Sequence, residues 1–176
     1  MSSDKIGVFL DRDGTLIEDC GYLSDPEGVR LLPGVKEGLK RLKTEHCLLF
    51  LLTNQSGIDR GFFSLQDVQC CHQRMLELLE EDEDFFTQIC IAPGTPDNPD
   101  PYRKPSPKFI LECLDKYDLD PDKCWMIGDR MSDVETGMNA HIRTIFLSKT
   151  DQINEATVCC KNFYDVLDAI KRYNLQ

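Results

Sequence analysis

Ile6-Gly7-Val8-Phe9-Leu10-Asp11-Arg12-Asp13-Gly14-Thr15 passes from an apolar run directly into two carboxylates one residue apart. The run reads as a β-strand, and two acids at its C-terminal end cannot serve a hydrophobic core. Side chains at i and i+2 share a face of a strand, so Asp11 and Asp13 are expected to project together. Close carboxylates repel, which raises a pKa unless a cation neutralises them. A divalent ion is the natural neutraliser, and oxygen-only ligands suit Mg²⁺. Gly14 then permits a turn that a residue with a Cβ resists. The competing reading is a solvated acidic turn.

Three later segments weigh against that competitor. Leu48-Leu49-Phe50-Leu51-Leu52 ends in Thr53-Asn54-Gln55-Ser56-Gly57, Arg103-Lys104-Pro105 precedes a helical pattern, and Cys124-Trp125-Met126-Ile127 ends in Gly128-Asp129-Arg130-Met131-Ser132-Asp133. Three of the four clusters follow a strand-like run, and open α/β sheets bind ligands at the carboxyl ends of their strands.

Around these clusters, strand-like runs alternate with helical patterns, the signature of a parallel sheet covered on both faces. Strands are expected at 5–10, 47–52, 87–92, 123–128 and 142–147. Helices are expected to open at Leu32-Pro33-Gly34-Val35, to run from an N-cap at Ser64 to Glu81, and to begin at Ser106-Pro107 with Pro in the first position. A short helix follows Ser132, and Phe163 to Tyr173 makes a closing helix. The apolar stripe of the Ser64 helix is Leu65, Val68, Met75, Leu76 and Leu79. Residues 14–31, with Gly21, Pro26 and Gly28, suit a small hairpin flap, and no insertion reaches the size of a large cap domain. The expected fold is a three-layer αβα sandwich around a mainly parallel, Rossmann-like sheet, with residues 1–176 as one domain.

In order and spacing, the four clusters resemble the motifs of the haloacid dehalogenase superfamily of phosphotransferases. Asp-Arg-Asp-Gly-Thr, Thr-Asn-Gln-Ser-Gly-Ile-x-Arg-Gly and Arg-Lys-Pro resemble those of its subgroup of heptose-bisphosphate and histidinol-phosphate phosphatases. The resemblance covers roughly residues 5–150. It implies Asp11 as the nucleophile that forms an aspartyl-phosphate, and Asp13 as general acid and then base. It also implies Mg²⁺ held by Asp11, the backbone carbonyl of Asp13, and Asp129. Thr53 would bind phosphoryl oxygens through its hydroxyl, and Lys104 would set a compact positive charge against them. Substrate contacts fall to Asp19, Tyr22, Asn54, Gln55, Ser56, Arg60, Arg103 and Arg130. Arg103 suits a second anionic group, Arg60 reads equally as a surface charge, and Arg130 either reaches substrate or covers the following helix. Asp133 orients Lys104 or a metal-bound water. His46, His72 and His141 lie outside the motifs and read as structural or surface residues.

Two departures bear on substrate. The subgroup often carries a zinc loop, Cys-x-His then Cys-x-Cys, before Arg-Lys-Pro. Here only Cys90 remains, with Ala92, Asp100 and Tyr102 at the other positions. One thiolate cannot build a four-ligand site, so no zinc is expected. Cys20-Gly21-Tyr22 also replaces the His-Gly-Tyr common in heptose-bisphosphate phosphatases.

Composition narrows the classes. The 176 residues include 41% hydrophobic and 29% charged, which describes an ordinary soluble globular chain. No apolar stretch approaches the roughly 20 residues of a membrane span, and Met1–Lys5 lacks a signal-peptide design. The expectation is a cytoplasmic protein without a membrane partner. Nine cysteines, an odd number, read as free thiols. A net charge of −11 argues against a nucleic-acid partner. The expected activity is Mg²⁺-dependent hydrolysis of a small phosphorylated metabolite, a sugar bisphosphate such as heptose 1,7-bisphosphate first. Alternatives are histidinol phosphate or another monoester, a nucleic-acid 3′-phosphatase, and a catalytically silent binding module.

Overall fold

The structure, a computed structural model of the chain, describes residues 5–148 and 155–174. The reading of Met1–Asp4 falls outside the described residues. Six strands form one open sheet: β1 (Gly7–Leu10), β2 (Leu48–Asn54), β3 (Gln88–Ala92), β4 (Trp125–Gly128), β5 (Arg143–Leu147) and β6 (Val158–Cys160). Their order is β3-β2-β1-β4-β5-β6, and every adjacent pair is parallel. The chain builds outward from β1 to β3, then crosses to the other side at β4. That reversal opens a crevice beyond the carboxyl ends of β1 and β4.

Strand alternation sends successive side chains to opposite layers. Val8, Leu10, Leu49, Leu51, Trp125 and Ile127 join one core with α1 (Val35–Thr44), α2 (Leu65–Leu79) and α5 (Val166–Asn174). Phe9, Phe50, Leu52 and Met126 point the other way, toward α3 (Lys108–Tyr117) and the end of α4 (Met131–Asn139). The result is the expected three-layer sandwich. Ser64 caps α2, accepting from Asp67 N–H while the Asp67 side chain accepts from Ser64 N–H.

Several boundaries differ from the expectations. β2 continues through Asn54, so Thr53 and Asn54 belong to the strand rather than to a turn. Three-residue β6 was not expected, because Val158-Cys159-Cys160 is too short to display a period of two. Helix α3 begins at Lys108 with Pro107 as its cap, and a 3₁₀ turn at Phe163–Asp165, capped by Asn162, precedes α5. Leu65 is exposed at the first turn of α2, while Cys71 and His72 are buried on its inner face. The segment 14–31 is not a regular hairpin. Its neck closes through an Ile17–Leu31 antiparallel bridge and its far end is a 3₁₀ turn at Pro26–Gly28. Leu16, Ile17, Leu23 and Val29 root it in the core.

Cys47, Cys113 and Cys124 are buried free thiols, pushed by burial to about 11, 12 and 12 respectively. Among the described residues, no helix is long and apolar enough to cross a membrane.

Candidate active site

A cleft of about 290 Å³ opens where the sheet order predicts. Asp11 and Asp13 line it from the β1 end, Asn54, Gln55 and Ser56 from the β2 end, and Asp19 and Tyr22 from the flap, with Lys104 and Arg130 completing the wall. Thr53, Arg60 and Arg103 stand back from this lining.

The floor is an ion cluster. Lys104 Nζ lies 2.6 Å from Asp11 Oδ1 and 2.6 Å from Asp133 Oδ1, and all three residues are buried. One ammonium against two carboxylates leaves an excess negative charge. Burial drives Asp11 up to about 7, against the pull of Lys104 and with a further push from Asp133. Burial works against the charge on Lys104, yet the two acids hold it up at about 12. Asp133 Oδ2 also accepts from Arg130 N–H at 3.0 Å, so each of its oxygens has one partner. Asn54 clips the Lys104 backbone, accepting from its N–H at 3.0 Å and donating to its carbonyl at 3.3 Å.

Asp11 and Asp13 both face the cleft, as expected, but from a turn rather than from the strand. The strand stops at Leu10, and Thr15, Leu16 and Ile17 N–H all turn back to the Arg12 carbonyl. Asp13 therefore faces a different partner set. Its carboxylate accepts from Arg12 Nε and Nη2 at 3.1 and 3.0 Å, and from Gln55 Nε2 at 2.8 Å. The same Gln55 nitrogen donates to the Thr53 hydroxyl at 2.8 Å. Arg12 was not singled out from the sequence. Its place between two acids was a signal, but charged side chains in such a turn are ordinarily solvated.

The donor set fits a hard divalent cation. Oxygens of Asp11, Asp129 and Asp133 lie within 4.8 Å of one another. Burial, then Asp133, push Asp129 up to about 6, against the charge of Arg130. Two carboxylates thus carry a charge that Lys104 alone does not neutralise. Each of the three carboxylates still has lone pairs to offer, so Asp11, Asp129 and Asp133 together could hold a hard divalent cation. At the β3–α3 loop the four zinc-loop positions hold Cys90, Ala92, Asp100 and Tyr102. Burial, then Asp100 and Glu112, push the Cys90 thiol up to about 12. Ala92 offers no side-chain donor, and both Asp100 oxygens are engaged by Gly94 and Tyr102 N–H at 2.8 and 2.9 Å.

The rim is tied together over the cleft. Arg130 Nη2 lies 2.5 Å from Asp19 Oδ2, joining the β4 loop to the flap. Partial burial pushes Asp19 up, but Gly21 N–H and Arg130 outweigh it and hold the carboxyl below its usual value. Tyr22 packs edge-on against Phe62, with centroids 4.7 Å apart. Arg103 donates to the Gly94 carbonyl at 2.7 Å. Burial lowers its pKa, Asp100 raises it, and the nearby charge of exposed Arg60 lowers it again. Of the histidines, His72 is buried, while His46 and His141 occupy exposed left-handed turns.

A doubly covered parallel sheet with acids and a lysine at its switch point defines a class, the α/β proteins whose strand ends suit phosphoryl chemistry beside a cation. Comparison with known proteins narrows it. The family model described as HAD-hydrolase-like matches residues 101–159. The D-glycero-beta-D-manno-heptose-1,7-bisphosphate 7-phosphatase of Helicobacter pylori (strain 26695) is 33% identical over 174 residues, covering 97% of this chain and 100% of the relative. The D-glycero-D-manno-heptose-1,7-bisphosphate 7-phosphatase of Chlorobaculum tepidum is 34% identical, with 90% of this chain and 85% of that protein aligned. A crystal structure of the D,D-heptose 1,7-bisphosphate phosphatase from B. bronchiseptica, with magnesium and phosphate, superposes at a TM-score of 0.84 over 94% of this chain and 98% of that one. Its 24% identity makes that a likeness of fold. The chain belongs to the haloacid dehalogenase-like family of hydrolases and is a phosphoric monoester hydrolase.

Proposed function

We propose that this phosphatase hydrolyses a sugar bisphosphate, heptose 1,7-bisphosphate in the first place, through an aspartyl-phosphate on Asp11. The observation that carries the chemistry is Lys104 Nζ, buried 2.6 Å from Asp11 Oδ1. A fixed ammonium at that place stabilises charge that develops as phosphorus is attacked.

In the first half-reaction, an Asp11 oxygen bonds to phosphorus, the ester P–O bond breaks, and Asp13 gives its proton to the departing alkoxide. In the second, Asp13 takes a proton from water as that water attacks phosphorus, releasing phosphate and restoring Asp11. Asp11, Asp129 and the Asp13 carbonyl would hold Mg²⁺, which supplies charge neutralisation for the carboxylates and the phosphoryl oxygens. Asp133 keeps Lys104 pointed inward, and Gln55, tied to Thr53 and Asp13, orders the β2 end.

The relatives' substrate supports the heptose reading, and so does the rim. Arg103 is held low by burial first and then, against Asp100, by the charge of Arg60, an arrangement that a second phosphate would relieve. Histidinol phosphate has no second phosphate to offer them. A 3′-phosphorylated nucleic acid meets a chain of net charge −11. A silent binding module has no use for a buried lysine held between two acids.

The test is phosphate release from heptose 1,7-bisphosphate, histidinol phosphate and a 3′-phosphorylated oligonucleotide, each with Mg²⁺ and after chelation. Preference for the bisphosphate, lost on chelation and restored by Mg²⁺, is the expected result. Turnover that survives thorough chelation would reject the metal assignment, and a preference for histidinol phosphate would reject the substrate.

A further inference from the structure

We infer that Arg12 is a positioning residue for Asp13, one that fixes the plane of its carboxylate and leaves a single lone pair, on Oδ1, to carry the proton. This rests on the aspartyl-phosphate reading above and adds to it the atom through which the proton moves.

Arg12 is 1% exposed, among the largest fully buried side chains of the protein. It lies against α2, where its charge reaches His72 and Cys71. Burying a guanidinium is costly unless an anion meets it with good geometry. Among the described residues, the carboxylate that pairs with it is that of its neighbour, through two parallel bonds of 3.1 and 3.0 Å. Such a fork constrains direction and plane as well as distance. It clamps a carboxylate whose other edge faces the cleft.

The lone pairs can be counted. An ionised carboxylate offers about four acceptor sites, two on each oxygen. Oδ2 accepts from Arg12 Nε and from Gln55 Nε2, which fills it. Oδ1 accepts from Arg12 Nη2 alone. A proton bound for the leaving alkoxide, or taken from water, therefore sits on Oδ1 without breaking any of the three bonds.

The test separates positioning from bulk structure by the leaving group. Arg12→Lys keeps a cation but cannot form the fork. For an alkyl phosphate, whose leaving group needs a proton, kcat should fall about 100-fold, with KM little changed. For p-nitrophenyl phosphate the first step should survive, and phosphoryl-enzyme should accumulate because water activation also depends on Asp13. Adding Arg12→Lys to Asp13→Asn should cost nothing further, since nothing remains to be positioned. Equal losses on both substrates, additive with Asp13→Asn, would overturn the role. If Arg12→Lys does not fold, the arginine Nε–H resonances of the wild-type protein and of Asp13→Asn decide the matter. A protected Nε–H that shifts and exchanges faster in Asp13→Asn is expected, and no change at any arginine would overturn the proposal. A wild-type enzyme that turns over with no trappable phosphoryl group would overturn the intermediate itself, whatever Arg12 does.

Discussion

Asp129 occupies the space that a side chain on Gly14 would need. A Cβ at position 14 would lie 2.2 Å from Asp129 Oδ2 and 2.6 Å from its Cγ, and the Gly14 φ of +81° already lies in the left-handed region. The two residues come from the ends of β1 and β4, so the missing Cβ lets one carboxylate approach the turn that bears the other two. Gly14→Ala should thus do more than strain a turn. It should raise the Mg²⁺ concentration for half-maximal activity and cost about 1–2 kcal/mol of stability from φ alone. A Mg²⁺ titration of activity beside urea unfolding checks both. Unchanged Mg²⁺ dependence would mean that Asp129 is not a ligand.

The two acids of the motif should separate by trapping. Asp11→Asn removes the nucleophile and should abolish turnover. Asp13→Asn should slow an alkyl ester by about 10²- to 10⁴-fold yet still transfer phosphoryl from p-nitrophenyl phosphate. Radiolabelled phosphate on Asp13→Asn and not on Asp11→Asn is the expected pattern, and the reverse would exchange their roles.

Lys104 and Arg103 are adjacent but face different surroundings, the one buried between acids, the other tied to Gly94 at the rim. Lys104→Ala should depress kcat on every substrate. Arg103→Ala should raise KM for a bisphosphate about tenfold or more, the scale of a lost charge-assisted hydrogen bond, and spare an aryl phosphate. Steady-state constants for both variants on both substrates make the comparison. Equal losses for Arg103→Ala would remove its part in reading a second anion.

His72 should make stability fall on acidification. Burial, then the charge of Arg12, hold its pKa down at about 3. The folded state excludes a proton that the unfolded chain binds near pH 6.5, so the stabilising difference is full above 6.5 and is lost as pH drops toward 3. From pH 7 to pH 5 this one group should withdraw about 2 kcal/mol. His72→Leu should flatten that part of the curve, measured as the difference in urea unfolding free energy between wild type and variant at the two pH values. Parallel curves would reject the assignment.

The layers were legible from the chain because their signals are local. Alternation in Val8-Phe9-Leu10 and Leu49-Phe50-Leu51-Leu52 assigns side chains to two faces, and Ser64 with Asp67 announces the start of α2. Asp11, Asp13 and Asp129 stood out because acids at strand ends have no place in a core, and Lys104 because its cluster follows in the order of a known family's motifs. Illegible were features whose signal is too short, as in β6, or whose burial depends on a distant element. Arg12 looks like a surface residue, and His72 like a structural or a surface one, until α2 is laid against the β1 turn.

The sequence by itself therefore determined the alternating α/β order and the presence of a charged, phosphate-directed site, since strand period, helix caps and motif chemistry act within a few residues. Only the tertiary structure decided which charges meet. Lys104 reaches Asp11 across 93 residues of sequence, and Arg130 reaches Asp19 across 111. Those partners are chosen by the order of the strands and by which way each loop leaves the sheet. Neither is written in any single segment: the low-dielectric surroundings that strengthen the buried Lys104–Asp11 pair exist only after distant segments have packed together, and the exposed Arg130–Asp19 pair needs the flap brought beside the β4 loop.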